Sequence, residues 1–227
     1  MEGILPVYKP VGMTSYDVIR IFKKNNPPPE GEKRWKVGHG GTLDPFAEGV
    51  LLILLGRAGT KQFDSLRKLH KTYLATATVG AYSDTLDCTG EISLQVGASS
   101  FQQLDLQKQI PKFVGEIEQK VPEYSAAKVD GRPRYKYARE GIVVTPTSKK
   151  VLVTDLQIKN WDGTTITFET TVSSGTYIRQ LSYDLLKSVG VESYLSKLVR
   201  TKIGEIGIED CATIEELNSA GWQDKVR

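Results

Sequence analysis

Val37-Gly-His-Gly-Gly-Thr-Leu-Asp-Pro-Phe-Ala-Glu-Gly-Val-Leu51 leads from a glycine-rich turn, through Asp44 and Pro45, into the apolar run Val50 to Leu55. Pro45 disfavours the helical conformation at Asp44, so the acid is expected on a loop feeding a buried strand rather than on a helix face. Gly38, Gly40 and Gly41 lack Cβ atoms and allow close approach of a ligand just before that acid. His39 stands among them.

Spacing alone leaves two readings open. Asp-Pro and Gly-Gly are ordinary turn punctuation, and an aspartate there can simply bond its own backbone. The same arrangement also suits a catalytic carboxylate on a constrained loop. Two glycine-loop chemistries fit poorly: Gly56-Arg-Ala-Gly-Thr-Lys61 has the wrong order and spacing for a phosphate loop, and Gly38 to Gly41 does not complete a dinucleotide fingerprint.

The chain has 227 residues, 39% of them hydrophobic, enough for one large domain or two small ones with a core. A net charge of +3 permits an anionic partner without demanding one. The cations are unevenly placed: Lys23, Lys24, Lys33, Arg34 and Lys36, then Arg67, Lys68 and Lys71, then Lys128, Arg132, Arg134, Lys136 and Arg139. Cys88 and Cys211 are far apart and lie in no zinc-binding spacing, so no metal is expected. No apolar run approaches the roughly 18 residues of a membrane span, and a soluble cytoplasmic protein is expected.

From the N-terminus, Gly3 to Lys9 reads as a strand, and Thr14 or Ser15 as the cap of a helix through Phe22 with Val18, Ile19 and Phe22 inward. Asn25 to Lys33, with three successive prolines, reads as a stiff exposed linker. A helix is expected over Gly56 to Lys71, with Phe63, Leu66 and Leu69 buried. Lys71 to Gly80 alternates like a strand, with Tyr73, Ala75, Ala77 and Val79 on one face. Phe101 to Lys120 reads as a helix interrupted at Pro111. Val121 to Gly141 interleaves cations with tyrosines, a pattern that suits either a solvated face or phosphates and bases. Val151 to Trp161 and Thr164 to Val172 form a hairpin around Asp162-Gly163. A helix to about Val189 then carries Tyr177 and Arg179 in its first turn. An arginine gains nothing from the helix dipole there and invites an anionic partner.

These segments resemble the TruB family of tRNA pseudouridine synthases. The family motif Gly-His-Thr-Gly-Thr-Leu-Asp-Pro-x-Ala-Thr-Gly-Val-Leu is met at Gly38-His39, Gly41 to Pro45, Ala47 and Gly49 to Leu51, with Gly40 and Glu48 in place of threonines. Lys9-Pro10, Lys71-x-Tyr73, Tyr124-Ser-Ala-Ala-Lys128, Ser174-Gly-Thr-Tyr-Ile-Arg179 and Leu198-Val-Arg-Thr match further family segments in the same order. Tyr8 and Tyr16 replace a usual aspartate and histidine, and Glu123 a usual proline.

The resemblance implies an α/β (α+β) pseudouridine synthase fold: a mixed, mostly antiparallel sheet flanked by helices with a central RNA-binding cleft. It implies isomerisation of uridine to pseudouridine in the T loop of tRNA, at position 55, on a flipped-out base. Asp44 is then the catalytic carboxylate, Arg179 its ion-pair partner, and Tyr73 the ring beneath the uracil. His39 helps hold the flipped arrangement, Lys9, Tyr177 and Leu198 border the pocket, and Lys128 and Arg132 contact RNA. Neither cofactor nor metal is expected, and the expected partner is the tRNA T arm, met by a monomer. The catalytic domain is expected over 1–207, with the basic segment at 121–150 and a short tail at 208–227. That tail is too short for the C-terminal PUA domain usual in the family, so weaker tRNA binding is expected. The other readings are a guide-RNA-dependent synthase of the Cbf5/dyskerin type and a non-catalytic tRNA-binding protein or chaperone. Intact Asp44, Tyr73 and Arg179 argue against the last.

Overall fold

The computed structural model describes residues 2–95, 103–219 and 221–227. The chain forms two compact units, Met1–Tyr73 with Leu198–Arg227, and Leu74–Lys197. In chain order the first unit begins with β1 (Gly3–Lys9), α1 (Ser15–Asn25), β2 (Val37–His39), β3 (Glu48–Leu55), α2 (Gly56–Lys61), α3 (Phe63–Lys68) and the start of β4 (Lys71–Val79). The second continues through β5 (Ala81–Ser83), β6 (Ile92–Leu94), α4 (Gln103–Gln109), β7 (Gly115–Lys120), β8 (Lys128–Val129), β9 (Arg132–Pro133), α5 (Arg134–Arg139), β10 (Ser148–Trp161), β11 (Thr165–Val172) and α6 (Ile178–Lys187). Strand β12 (Ser193–Ile203) leads back to the first unit, which ends with β13 (Ile206–Gly207) and α7 (Ile214–Asn218). Among the described residues no helix is long and apolar enough to cross a membrane.

Strand β3 organises the first unit. It runs antiparallel to β1, from Gly3↔Leu55 to Lys9↔Gly49, antiparallel to β2, and parallel to β12 at Val199↔Glu48 and Arg200↔Gly49. Its side chains alternate between two cores. Leu51, Ile53 and Leu55 join Leu5, Val7, Val18, Phe22, Trp35, Ala212, Leu217 and Trp222. Val50, Leu52 and Leu54 join Ile4, Leu66, Ile203 and Cys211 on the other face. Burial on both faces is why the run reads as continuous apolar sequence instead of alternating.

Helix α1 starts where expected, at a capping box in which Thr14 accepts from the amide of Asp17 and Asp17 bonds back. The stretch expected as an exposed linker is anchored at its first turn. Asn26 is buried; its amide donates to the carbonyls of Phe22 and Leu217, and its Oδ1 accepts from Trp222 Nε1 at 2.9 Å. Its backbone carbonyl accepts from Trp35 Nε1 at 2.9 Å. Trp35 Nε1 is shared with the Pro27 carbonyl at 2.8 Å, so residues 26 and 27 together meet the donors of two buried indoles, whose hydration is lost on burial.

Two helix expectations are corrected. Gly56 to Lys71 breaks into α2 and α3, and only Leu66 of the expected stripe is buried; Phe63 and Leu69 are 39% and 37% exposed. The two helices part at Gln62, and α3 stops short of Lys71, whose buried ammonium folds back over its last turn, donating to the carbonyls of Arg67 (2.6 Å) and Leu69 (2.5 Å). Of the helix expected over Phe101 to Lys120, the first two residues lie outside the described residues, α4 ends at Gln109, and Pro111 sits in a 3₁₀ turn. Gly115–Lys120 is a strand because its backbone pairs with β10 from Gly115↔Val153 to Lys120↔Ser148, and that ladder overrides local propensity.

In the second unit the strand order is β4-β11-β10-β7. The β10–β11 hairpin turns at Asp162-Gly163, as expected. Asp162 Oδ1 accepts from the amides of Thr164 and Thr165, and Gly163 takes φ +94°, a value L side chains rarely adopt. Register shifts interrupt β10 between Val153 and Asp155, so its buried residues change parity from Val151 and Val153 to Leu156.

Residues 208–227, expected as a tail, supply Ala212, Leu217 and Trp222 to the first unit's core. Trp222 meets Phe22 edge-on at 5.0 Å between centroids. We predict that Trp222→Ala destabilises the protein by about 3–5 kcal/mol. Urea unfolding checks this; an unshifted midpoint would remove Trp222 from the core.

Candidate active site

Asp44 lies on the loop between β2 and β3, as expected from Pro45. That loop is tied down at several points. Ser15 Oγ, at the start of α1, accepts from the Leu43 amide at 2.9 Å and donates to the Leu43 carbonyl at 3.3 Å. The Gly12 amide donates to the Pro45 carbonyl, and the Ala47 amide to that of Asp44. Arg200, reaching from β12, donates Nε to the carbonyl of Val50 (2.7 Å), Nη1 to Thr42 (3.3 Å) and Nη2 to Gly41 (3.1 Å). Sequence reasoning quoted Arg200 within a motif but gave it no role; its inward spacing two residues after Leu198 was the available signal.

Lys9, at the end of β1, is fully buried and not a surface lysine. Its ammonium donates to the carbonyls of Pro10 (2.9 Å) and Met13 (2.7 Å), closing the turn that leads into α1. Loss of water pushes it down to about 8; the charge of Asp44 draws it back in part, and Arg200 lowers it further. His39 sits on β2 opposite Ile53, with Nδ1 buried and unpartnered. Burial, helped by Arg200, holds its imidazole below the usual histidine range, so it is neutral at pH 7. Tyr73 on β4 and Leu198 on β12 are both buried.

Tyr8 and Glu48, both departures from the family motif, meet. Burial first, and then the neighbouring Glu48 carboxylate, push the Tyr8 phenol up to about 12.

In the second unit Arg179 is in the first turn of α6 and is buried. Its Nη1 donates to the carbonyl of Thr85 (2.6 Å) and pairs with Asp87 Oδ2 (3.3 Å), and its Nη2 donates to the carbonyl of Tyr124 (2.9 Å). Asp87 holds a turn, accepting on Oδ1 from Thr85 Oγ1 and from the amide and hydroxyl of Thr89, while Oδ2 faces the guanidinium. Tyr177 is set by Gln119 of β7: each donates an N–H to the other's oxygen, at 2.8 and 3.0 Å. Lys149 lies 4.2 Å from the Tyr177 ring centroid.

The basic segment divides. Lys128 is exposed, and Arg132 stacks on Tyr137 at 4.7 Å while pairing with Glu140. Arg134, expected among the exposed cations, is 1% exposed and donates to the Thr145 carbonyl, which takes it off the surface. Among the described residues no three His, Cys, Asp or Glu side chains are grouped to hold a metal ion.

This architecture defines a pseudouridine synthase. One chain of a Cbf5–Nop10–Gar1 complex matches 99% of this chain with a TM-score of 0.71 at 25% identity, and one of an archaeal box H/ACA Nop10–Cbf5 complex matches 96% with a TM-score of 0.68 at 24%. This chain spans 57% and 53% of those two chains, and the likeness is one of fold. Sequence is more specific: the chain belongs to the TruB family. The model of the TruB family pseudouridylate synthase N-terminal domain matches residues 30–178. The tRNA pseudouridine synthase B of Clostridium tetani is 38% identical over 224 residues, covering 99% of this chain and 75% of the relative. That of Caldanaerobacter subterraneus is 40% identical over 218 residues (96% and 74%), and that of Bordetella pertussis 35% over 221 (96% and 88%).

Lys9 yields a pH prediction. Between about 8 and its ordinary 10.5 the unfolded chain binds a proton that the folded chain has released, so its contribution to stability rises with pH across that window. Lys9→Met abolishes that contribution. The unfolding free energy of wild type minus variant is therefore expected to increase from pH 8 to 10.5; a difference independent of pH would contradict the assignment.

Proposed function

We propose that this protein isomerises uridine to pseudouridine in the T loop of tRNA, without a guide RNA, using Asp44 as the catalytic carboxylate. The observation that carries this reading is the 35–40% identity, over nearly the whole chain, to relatives named tRNA pseudouridine synthase B. Beneath it stands the constrained Asp44 loop, since a carboxylate acting on one carbon of a nucleotide gains most when its geometry is fixed before substrate arrives.

The reaction breaks the bond from C1′ to N1, turns the uracil, joins C1′ to C5 and removes the C5 proton. No electron is gained or lost, and the proton leaving C5 balances the one taken up at N1. Asp44 assists departure of the uracil at C1′. The base must leave its stack first, at a cost of a few kcal/mol. We assign Tyr73 and Leu198 to the walls that receive it, and neutral His39 to the space it vacates. A neutral ring suits that place, because it stacks without drawing a phosphate inward. Arg179 serves the catalytic carboxylate, while Tyr177 borders the base, Lys9 supports the loop from beneath, and Lys128 and Arg132 meet phosphates.

The test is incubation with unmodified tRNA followed by base-specific mapping of pseudouridine. A single signal in the T loop, formed by the protein alone, is expected; modification elsewhere, or only with an added guide, would refute the reading. Asp44→Asn is expected to abolish turnover and leave RNA affinity unchanged, measured on one folded preparation. Arg179→Lys keeps the charge but not the planar fork, so turnover is expected to fall about 10²-fold, the order that a misplacement of about 1 Å costs. Wild-type turnover in that variant would place Arg179 outside the catalytic group.

A further inference from the structure

Arg200 is 1% exposed, and its three hydrogen bonds end on the carbonyls of Gly41, Thr42 and Val50. Two of these precede Asp44 and one follows it, so a single guanidinium grips both limbs of the loop. Strand β12 is pressed against the same loop by backbone as well: Gly49 pairs with Arg200, and a Cβ on Gly49 would lie 2.2 Å from the Arg200 carbonyl oxygen. Gly49 takes φ +108°, so both its space and its conformation demand glycine. On the other side, Ser15 holds Leu43 and Gly12 holds Pro45. Among the described residues Arg200 makes no ion pair, and its charge is met by peptide carbonyls of the loop it holds.

We infer that Arg200 is a positioning residue for Asp44: its planar fork fixes the two limbs of the loop at one separation and thereby aims the carboxylate. This rests on Asp44 being the catalytic acid, as proposed above. A lysine carries the same charge, but a single nitrogen cannot reach three carbonyls spread along a fork. Methionine fills similar space without bringing a charge into the site.

The test compares wild type with Arg200→Lys and Arg200→Met, the second included because a buried, poorly bonded ammonium is itself a reason to unfold. Both variants are expected to keep tRNA affinity and KM and to lose kcat by about 10²-fold, with lysine giving no rescue over methionine. Amide hydrogen exchange is read in parallel, independently of activity. The amides of Leu43 and Ala47 are expected to exchange faster in both variants, with those of β1 and β3 unchanged. Wild-type kcat in either variant, a loss confined to KM, or unchanged exchange at Leu43 and Ala47 would overturn the proposal. So would general unfolding of both variants, which would make Arg200 a folding residue. Failure of wild type to modify tRNA would fall on the catalytic reading instead, while the exchange data would still report whether Arg200 holds the loop.

Discussion

A cation taken out of water must end on oxygen, and five among the described residues do so: Lys9, Lys71, Arg134, Arg179 and Arg200 are all buried. Each finds at least one backbone carbonyl, on residues 10 and 13, 66, 67 and 69, 145, 85 and 124, and 41, 42 and 50 respectively. Those carbonyls belong to loops, turns and element ends, the places where backbone lacks partners of its own. Buried charge is thus the means by which irregular segments acquire fixed shape. Removing Arg200 would take a charged donor from three carbonyls at once, a larger loss than any single bond.

The two units use this device differently. Around Asp44 the guanidinium of Arg200 is answered by peptide dipoles, and the nearby Lys9 and His39 are both held below their ordinary ranges. Around Arg179 a carboxylate, Asp87, shares the task with carbonyls and is itself saturated by Thr85 and Thr89. A group fixed by several bonds from one side has little freedom left to reorganise during a reaction, which is how preorganised electrostatics lower a barrier.

What was legible in the sequence was local. The β3 run, the Thr14 capping box and the Asp162-Gly163 turn each carry their cause within a few residues, and each appears where it was read. Family motifs supplied Asp44, Tyr73 and Arg179, which no periodicity would have distinguished from a turn aspartate, a strand aromatic and a helix arginine. What escaped was decided at a distance. Arg134 sits in a basic run and reads as surface, yet Thr145 takes it inward; Gly115–Lys120 is polar and helix-compatible, yet β10 pairs with it. Arg200 stands in a motif with no role legible from it, because its partners are backbone carbonyls that side-chain identity does not reveal.

The first unit is assembled from two stretches of chain with the whole second unit between them. During synthesis from the N-terminus, β1, α1 and β3 emerge long before Ala212, Leu217 and Trp222, which complete their core. The second unit is continuous and has all its residues available first. The loop bearing Asp44 meets the same delay, since Arg200 is made some time after it. A nascent chain therefore carries Asp44 on an unclamped loop until β12 has been made, and the loop takes its fixed shape only when Arg200 reaches β3. That return closes a long loop, which makes it a slow step by the ordinary dependence of folding rate on sequence separation.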